Sequence, residues 1–303
     1  MTTIEDFLGA ISLHPVGQAK SGPGKMHGLA HIRRPQPEDL SAMDLSAVAD
    51  LRSMIDLFET PRNSARSPLF VSYYTANTPY EALADRLKAS LDRLGLAHRI
   101  EPISSLGSWV ANTGLKSAFI ERVWLESDRP ICWVDADAEL LRMPWFVHDN
   151  PFDIAVVRRH GWYDISSFVY LNKTEATGRL VRHWAELCRQ NPHVWDQVLL
   201  TLAWYDVTRD HQMKSLFLPD GVFRFPRPVL RDLRDRLFYY PRKKKMRPFV
   251  DQKQASRTLK SFVDKAAKRE NELGSNDLSA QFMAALSAHD FTGAFTAGSI
   301  FKG

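Results

Sequence analysis

The sequence predicts an α/β fold in which a mixed, mostly parallel sheet is flanked by helices. From Ser67 onward, short apolar runs of strand length alternate with longer segments of helical periodicity. Pro, Gly and Asn punctuate these runs, as is typical of segment ends. The chain has 303 residues, of which 44% are hydrophobic, and this is enough for a sizeable core. No apolar run approaches the roughly 20 residues that a transmembrane helix needs.

The chain divides into three regions by composition. Residues 1–66 predict a partly disordered N-terminal extension with one helix over 41–58, because glycines, lysines and a Pro-rich cluster precede a single helical repeat. Residues 67–224 are predicted to form the α/β domain. Residues 225–303 predict a basic, helical C-terminal region.

Within the α/β domain, strands and helices follow one another in a regular order. Thr78 and Pro79 predict the start of the first helix, and Gly95 predicts its end. The predicted strands are 69–74, 98–103, 131–134, 154–158, 167–171 and 216–218. The predicted helices are 78–94, 111–126, 174–190 and 196–204.

The charge is unevenly distributed. The net charge of the whole chain is +5. The segment from Arg224 to Arg247 alone contains ten Lys and Arg residues but only two Asp residues. The two cysteines, Cys132 and Cys188, belong to no CxxC or Cys/His cluster, which favours reduced core thiols in a cytoplasmic protein. The first residues show no basic segment followed by an apolar one, so we expect no secretory signal.

Two carboxylates follow the third predicted strand. The apolar run Ile131 to Val134 leads directly into Asp135, Ala136 and Asp137. In extended backbone, alternate residues point to the same side, so the two carboxylates are expected to face the crevice at the carboxyl end of the sheet. Paired carboxylates attract a hard divalent cation such as Mn²⁺ or Mg²⁺, which in turn binds diphosphate oxygens. The alternative interpretation is a turn in which both acids only cap the strand.

The order of these motifs resembles the GT-A type nucleotide-diphospho-sugar glycosyltransferases. The resemblance rests on the strand with its Asp-Ala-Asp, the later strand around Phe168 to Asn172, and the Asp196-Gln197 pair that opens a helix. It covers about residues 68–220. It implies a GT-A type sheet, a nucleotide-sugar donor, an acceptor glycan, lipid or protein, and Mn²⁺ or Mg²⁺ as cofactor. No nucleic-acid partner is expected.

The resemblance also implies roles for individual residues. Asp137 would bind the metal, and Asp135 would contact both the metal region and the ribose. Asp196 and Gln197 would lie near the anomeric carbon, in an arrangement closer to retaining than to inverting enzymes. The remaining implied donor contacts are Tyr73, Thr75, Lys116, Ser166 and Ser167.

This sequence departs from the family pattern in two places. Ser166 and Ser167 are not followed by the usual Gly. Many relatives have a late His as a third metal ligand, but His211 and His289 lie in no recognisable motif, so we assign neither to the metal site.

Other readings of the sequence stay open. A phosphatase of the haloacid-dehalogenase type also places Asp-x-Asp after an apolar strand, although on its first strand. A non-catalytic protein could use the basic cluster 242–247 to bind a polyanion or the surface of an anionic membrane. Trp162, in a loop before the serine-containing strand, is a weaker candidate for stacking against an acceptor sugar.

Overall fold

The structure is a computed structural model, and it describes part of the chain. The described residues are 14–15, 47–48, 61–107, 109–157, 165–192, 196–211, 213–218, 222–224 and 247–253.

A six-stranded sheet forms the centre of the core, and five of its strands run in the same direction. Its strands are β3 (Leu69–Thr75), β4 (His98–Ile103), β5 (Ile131–Val134), β7 (Ile154–Val157), β8 (Ile165–Leu171) and β9 (Ser215–Leu218). Their order in the sheet is β4-β3-β5-β8-β7-β9, and only β8 is antiparallel to its neighbours.

Four helices pack on the two faces of this sheet. They are α1 (Tyr80–Arg93), α2 (Trp109–Glu126), α3 (Glu175–Gln190) and α4 (Asp196–Asp210). One face packs against α1 in a cluster that includes Leu87 and Leu91. The other face packs against α2, α3 and α4, with Trp184 and Trp204 among its buried members. The central strand β5 is therefore apolar along its whole length, because both of its faces are buried.

A second, three-stranded sheet adjoins the first at the end of β5. Its order is β10-β11-β6, from Phe223–Arg224, Val250–Gln252 and Ala138–Leu140. Strand β6 begins directly after Asp137, and β11 pairs antiparallel with it. The second sheet thus brings a segment from late in the chain next to the two carboxylates.

The predicted α/β fold is confirmed, and each predicted strand and helix of the core corresponds to an observed one. The first helix begins at Tyr80, with Pro79 rather than Thr78 at the N-cap position, and the Thr78 hydroxyl accepts a hydrogen bond from the Tyr80 amide at 3.2 Å. The sequence did not predict β6, β10 or β11. Strand β11 lies in the range predicted to be helical and basic.

The predicted N-terminal helix is described only at Ala47–Val48. There the structure has a two-residue strand, β2, which pairs with β1 (His14–Pro15), so the helix prediction is wrong at those residues. The rest of residues 1–60 lies outside the described residues, as do residues 225–246 and those beyond 253. Among the residues that the structure describes, no helix has the length and apolar composition that crossing a membrane requires.

Candidate functional site

Asp135 and Asp137 lie in a tight turn that joins β5 to β6. The amide of Ala138 donates to the carbonyl of Asp135 at 3.0 Å, which closes the turn. The amide of Asp135 also donates to the Ser167 carbonyl at 3.0 Å, which fixes the end of β5 against β8. The extended backbone that we assumed for the two acids is therefore wrong. The turn nevertheless directs both carboxylates into the same cleft.

Lys116 connects the first of these carboxylates to the start of α4. Its ammonium nitrogen lies 3.0 Å from Asp135 Oδ1 and 2.9 Å from Asp196 Oδ2. The Ser166 hydroxyl donates to Asp196 Oδ2 at 2.7 Å and lies 3.0 Å from the same ammonium. Elements far apart in sequence, α2, β5, β8 and α4, are thus joined by one polar cluster.

Electrostatics within this cluster favour a charged lysine. Burial alone would lower the pKa of Lys116, which is 5% exposed, but the charges of Asp135 and Asp196 outweigh burial and raise the pKa above its ordinary value. One ammonium serves two carboxylates here, and Asp137 adds a third acid nearby. These four residues thus bring three carboxyl groups and one ammonium close together.

The buried indole of Trp133 holds Asp135 through a hydrogen bond. Trp133 is the third residue of β5, and its Nε1 donates to Asp135 Oδ1 at 2.8 Å. The ring is 2% exposed and packs against Tyr73 and Phe119. Asp135 Oδ1 is thus held by both an indole and an ammonium.

The cleft in front of these acids has a volume of about 120 Å³ and opens to solvent. Its aromatic wall consists of Tyr73, Tyr74, Tyr80 and Trp133. Its polar wall consists of Asn112, Thr113, Lys116, Asp135, Asp137 and Gln252. Such a mixture of flat apolar surface and convergent polar groups is typical of small-molecule sites.

The hydroxyl of Tyr73, a predicted donor contact, is bound to the protein backbone. It donates to the backbone carbonyl of Asn112 at 2.6 Å. Burial, together with the charges of Asp196 and Asp135, raises the pKa of Tyr73 well above its ordinary value. Tyr73 therefore braces the start of α2, and Tyr74 and Tyr80 offer the half-buried rings of the wall.

Gln252, at the end of β11, is a site residue that the sequence did not indicate. Its Nε2 lies 3.3 Å from Asp135 Oδ2 and 3.4 Å from Asp137 Oδ1. Neighbouring Lys253 donates its amide to the Asp137 carbonyl at 3.0 Å. Gln252 is 115 residues from Asp137 in sequence, so its proximity to that acid can be recognised only once the pairing of the strands is known.

The other predicted site residues lie around this cleft at different depths. Thr75 is buried and lines the cleft. Ser166 and Ser167 are buried in a bulge of β8, where the register with β7 shifts between Val156 and Val157. Such bulges commonly reshape a strand beside an active site.

Asp196 and Gln197 lie behind the cleft rather than on its wall. Asp196 is 6% exposed and faces Lys116, while Gln197 is half-buried in the first turn of α4. Trp162 lies outside the described residues. The described part of the chain has no cluster of three or more His, Cys, Asp or Glu side chains suited to a metal ion.

Comparisons with known proteins give structural neighbours only. No family model matches the chain, and no curated protein matches it in sequence. Solved structures similar to it include two glycosyltransferases. One is a glycosyltransferase involved in glycosylation of the major capsid of PBCV-1, with 12% identity, 67% of this chain and 99% of that chain covered, and a TM-score of 0.47.

The second is mouse xyloside xylosyltransferase 1 in its apo form. It has 12% identity, with 62% of this chain and 97% of that chain covered, and a TM-score of 0.37. These values are too low to carry an argument about activity, which therefore has to come from the cleft itself.

Proposed function

We propose that this protein is a metal-dependent glycosyltransferase that moves a sugar from a nucleotide-diphosphate donor to an acceptor hydroxyl. The observation that carries the proposal is that Asp135 and Asp137, at the end of the central strand, line one open cleft together with a wall of tyrosines. A cation site beside flat aromatic surface suits a ligand that combines a diphosphate with a planar base.

The residues present fit a hard divalent cation. Asp135 and Asp137 supply carboxylate oxygens, and the buried Oε1 of Gln252 has no hydrogen-bond partner among the described residues. This all-oxygen set is the kind that Mg²⁺ and Mn²⁺ prefer. A bound cation would supply Lewis-acid stabilisation of charge on the departing diphosphate.

The aromatic wall supports the assignment of a nucleotide. Tyr74 and Tyr80 are half-buried, so each keeps exposed ring surface in the cleft. Tyr73 and Thr75 line the same cleft as Asp135, and we assign them to the ribose. Stacking and apolar contact would hold the base, and a cation bound by the two acids would orient the diphosphate.

The position of Asp196 supports a retaining reaction. An inverting enzyme needs a carboxylate base that is free to take the acceptor proton. Asp196 is instead engaged by Lys116 and Ser166. In the proposed reaction the anomeric carbon–phosphate oxygen bond breaks, its electron pair stays on the phosphate oxygen, and that oxygen takes the proton as the acceptor oxygen bonds to carbon.

Within this scheme Lys116 orients Asp135, and Asp196 acts through Lys116 as a positioning residue. Gln197 follows Asp196 in the first turn of α4, behind the cleft wall, and its contact with the transferred sugar stays a prediction. The acceptor class and any docking of the basic cluster 242–247 on anionic membrane stay predictions.

A thermal-shift screen tests the donor class. UDP-, GDP- and dTDP-sugars should raise the melting temperature in the presence of Mn²⁺ and much less in EDTA, because binding to the folded state stabilises it. A CMP-sugar, which lacks the diphosphate, should give a smaller shift. A positive donor is then incubated alone to detect its hydrolysis.

Two matched variants assign the effect to the cleft. Asp137→Asn should abolish the Mn²⁺-dependent shift, whereas Asp92→Asn should keep it, because Asp92 is an exposed partner of Lys88 on α1. The proposal is wrong if no diphosphate sugar stabilises the wild-type protein, or if Asp137→Asn responds as the wild type does.

A further inference from the structure

The register of the small second sheet places Gln252 beside the paired carboxylates. Strand β11 pairs with β6 so that Gln252 lies opposite Ala138, the residue after Asp137. The Lys253 amide then bonds to the Asp137 carbonyl, and the Phe249 carbonyl accepts from the Leu141 amide at 2.8 Å. Backbone hydrogen bonds on both sides of Gln252 therefore fix its position.

The side chain of Gln252 bridges the two acids. It is 8% exposed, and its Nε2 is within hydrogen-bond distance of one oxygen of Asp135 and one of Asp137. Its Oε1 is buried and has no partner among the described residues. A buried amide oxygen without a partner loses its hydration without compensation, which marks it as a candidate ligand group.

The side-chain nitrogen of Gln252 lies between two carboxylates, where positive charge is favoured. It carries the partial positive charge of its hydrogens between two carboxylates, as a cation would. Half a turn about the terminal side-chain torsion exchanges Nε2 with Oε1 at nearly unchanged positions, and this torsion is soft. Gln252 can therefore satisfy the acids with its nitrogen in one state and offer its oxygen to an ion in the other.

We propose that Gln252 is the third protein ligand of the cation, through Oε1, and that it makes the site an all-oxygen one. The inference rests on the proposed function, because it names a further residue of the same site. With two charged ligands and one neutral amide, the set favours Mg²⁺ and Mn²⁺ over softer ions such as Zn²⁺. An imidazole at this position would shift that preference toward Zn²⁺.

Direct ion binding tests the assignment without any donor. Mn²⁺ is titrated into the purified full-length protein, and free Mn²⁺ is followed by its six-line electron paramagnetic resonance signal. Gln252→Leu should weaken Mn²⁺ binding by about tenfold or more, as is usual when a metal site loses a supporting group. Gln252→Glu should bind at least as tightly as wild type, and Gln252→His should raise the affinity for Zn²⁺ relative to Mg²⁺.

Gln190→Leu is the matched control. Gln190 lies at the end of α3, where its amide contacts exposed Glu186, and its variant should bind Mn²⁺ like the wild type. Melting in EDTA establishes that each variant folds. A Gln252→Leu variant that melts normally and binds Mn²⁺ like the wild type overturns the ligand assignment alone. Absence of Mn²⁺ binding by the wild-type protein overturns both this assignment and the metal dependence of the proposed function.

Discussion

The ammonium nitrogen of Lys116 lies 2.9 Å from Asp196 Oδ2, in a position where both side chains are more than nine-tenths buried. The same nitrogen reaches Asp135, so one lysine of α2 links the turn that carries Asp135 and Asp137 to the first residue of α4. The two motifs on which the functional prediction rests, the Asp-x-Asp turn and the Asp-Gln helix start, are therefore one connected unit.

Lys116→Met should destabilise the protein by about 3–5 kcal/mol, because it leaves Asp196 buried without its cation. Lys88→Met is the matched control. Lys88 pairs with Asp92 on the exposed side of α1, and its loss should change the free energy of unfolding by less than about 1 kcal/mol. Urea unfolding measures both. Asp196→Asn in the Lys116→Met background should recover part of the loss, and equal effects of the two lysine variants would contradict the prediction.

Two helical glycines should respond in opposite ways to alanine. At Gly178 on α3 an added Cβ would lie 2.9 Å from the Trp124 ring, which is held by its hydrogen bond to the Asn172 carbonyl and by the Lys173 ammonium stacked on it. Gly178→Ala should destabilise by about 1–3 kcal/mol.

At Gly114 on α2 an added Cβ would meet nothing within 4 Å, so Gly114→Ala should stabilise by about 0.5–1 kcal/mol through reduced backbone freedom in the unfolded chain. Thermal melting of the two variants gives the signs. Stabilisation by Gly178→Ala would show that the Trp124 ring moves aside easily.

His148 should make the protein sensitive to mild acid. It is 1% exposed, neither ring nitrogen has a hydrogen-bond partner among the described residues, and burial lowers its pKa to about 4. The unfolded chain takes up this proton near pH 6.5, whereas the folded protein does not until about pH 4. Stability is therefore unaffected above pH 6.5 and falls as the pH drops through this window.

The expected loss attributable to His148 is about 3 kcal/mol across that window. Urea unfolding at pH 7 and pH 4.5 measures it, and His148→Phe should lose correspondingly less stability on acidification. Parallel losses in the wild type and the variant would mean that other groups account for the acid sensitivity.

Thr174 should act as a cap for α3. Its hydroxyl accepts from the Thr177 amide at 3.2 Å and lies 2.7 Å from Asp153 Oδ1, so it joins the helix start to the strand β7 region. Thr174→Ala should cost about 1–2 kcal/mol, and Thr174→Ser should restore most of it. Failure of the serine variant to rescue would point to packing of the threonine methyl group instead.

Strands β5, β7 and β8 of the large sheet could be predicted because all of their residues are buried. Ile131 to Val134 is apolar at every position, and Pro130 and Asp135 delimit it. The second sheet could not be predicted, since Ala138–Leu140 and Val250–Gln252 are three-residue strands with no periodicity to detect. Such strands exist only because they pair with each other.

The residues of the candidate site also fall into two groups, those that could be predicted from the sequence and those that could not. Asp135 and Asp137 could be predicted because their position after a buried strand is visible in one stretch of sequence. Gln252 could not, because its proximity depends on the pairing of β11 with β6. The contact of Tyr73 with the Asn112 carbonyl was also hidden, since a backbone acceptor leaves no mark on residue identity.

Because Gln252 reaches the cleft only through the pairing of β11 with β6, the cleft is complete only in the fully folded protein. Contacts between distant segments form only after the cost of closing a long loop has been met, so they tend to arrive late. A molecule that had built β5 and its acids but had not yet docked β11 would display two carboxylates without the glutamine between them. With Gln252 as the proposed third ligand, we expect ion binding to rise only after β11 has paired with β6.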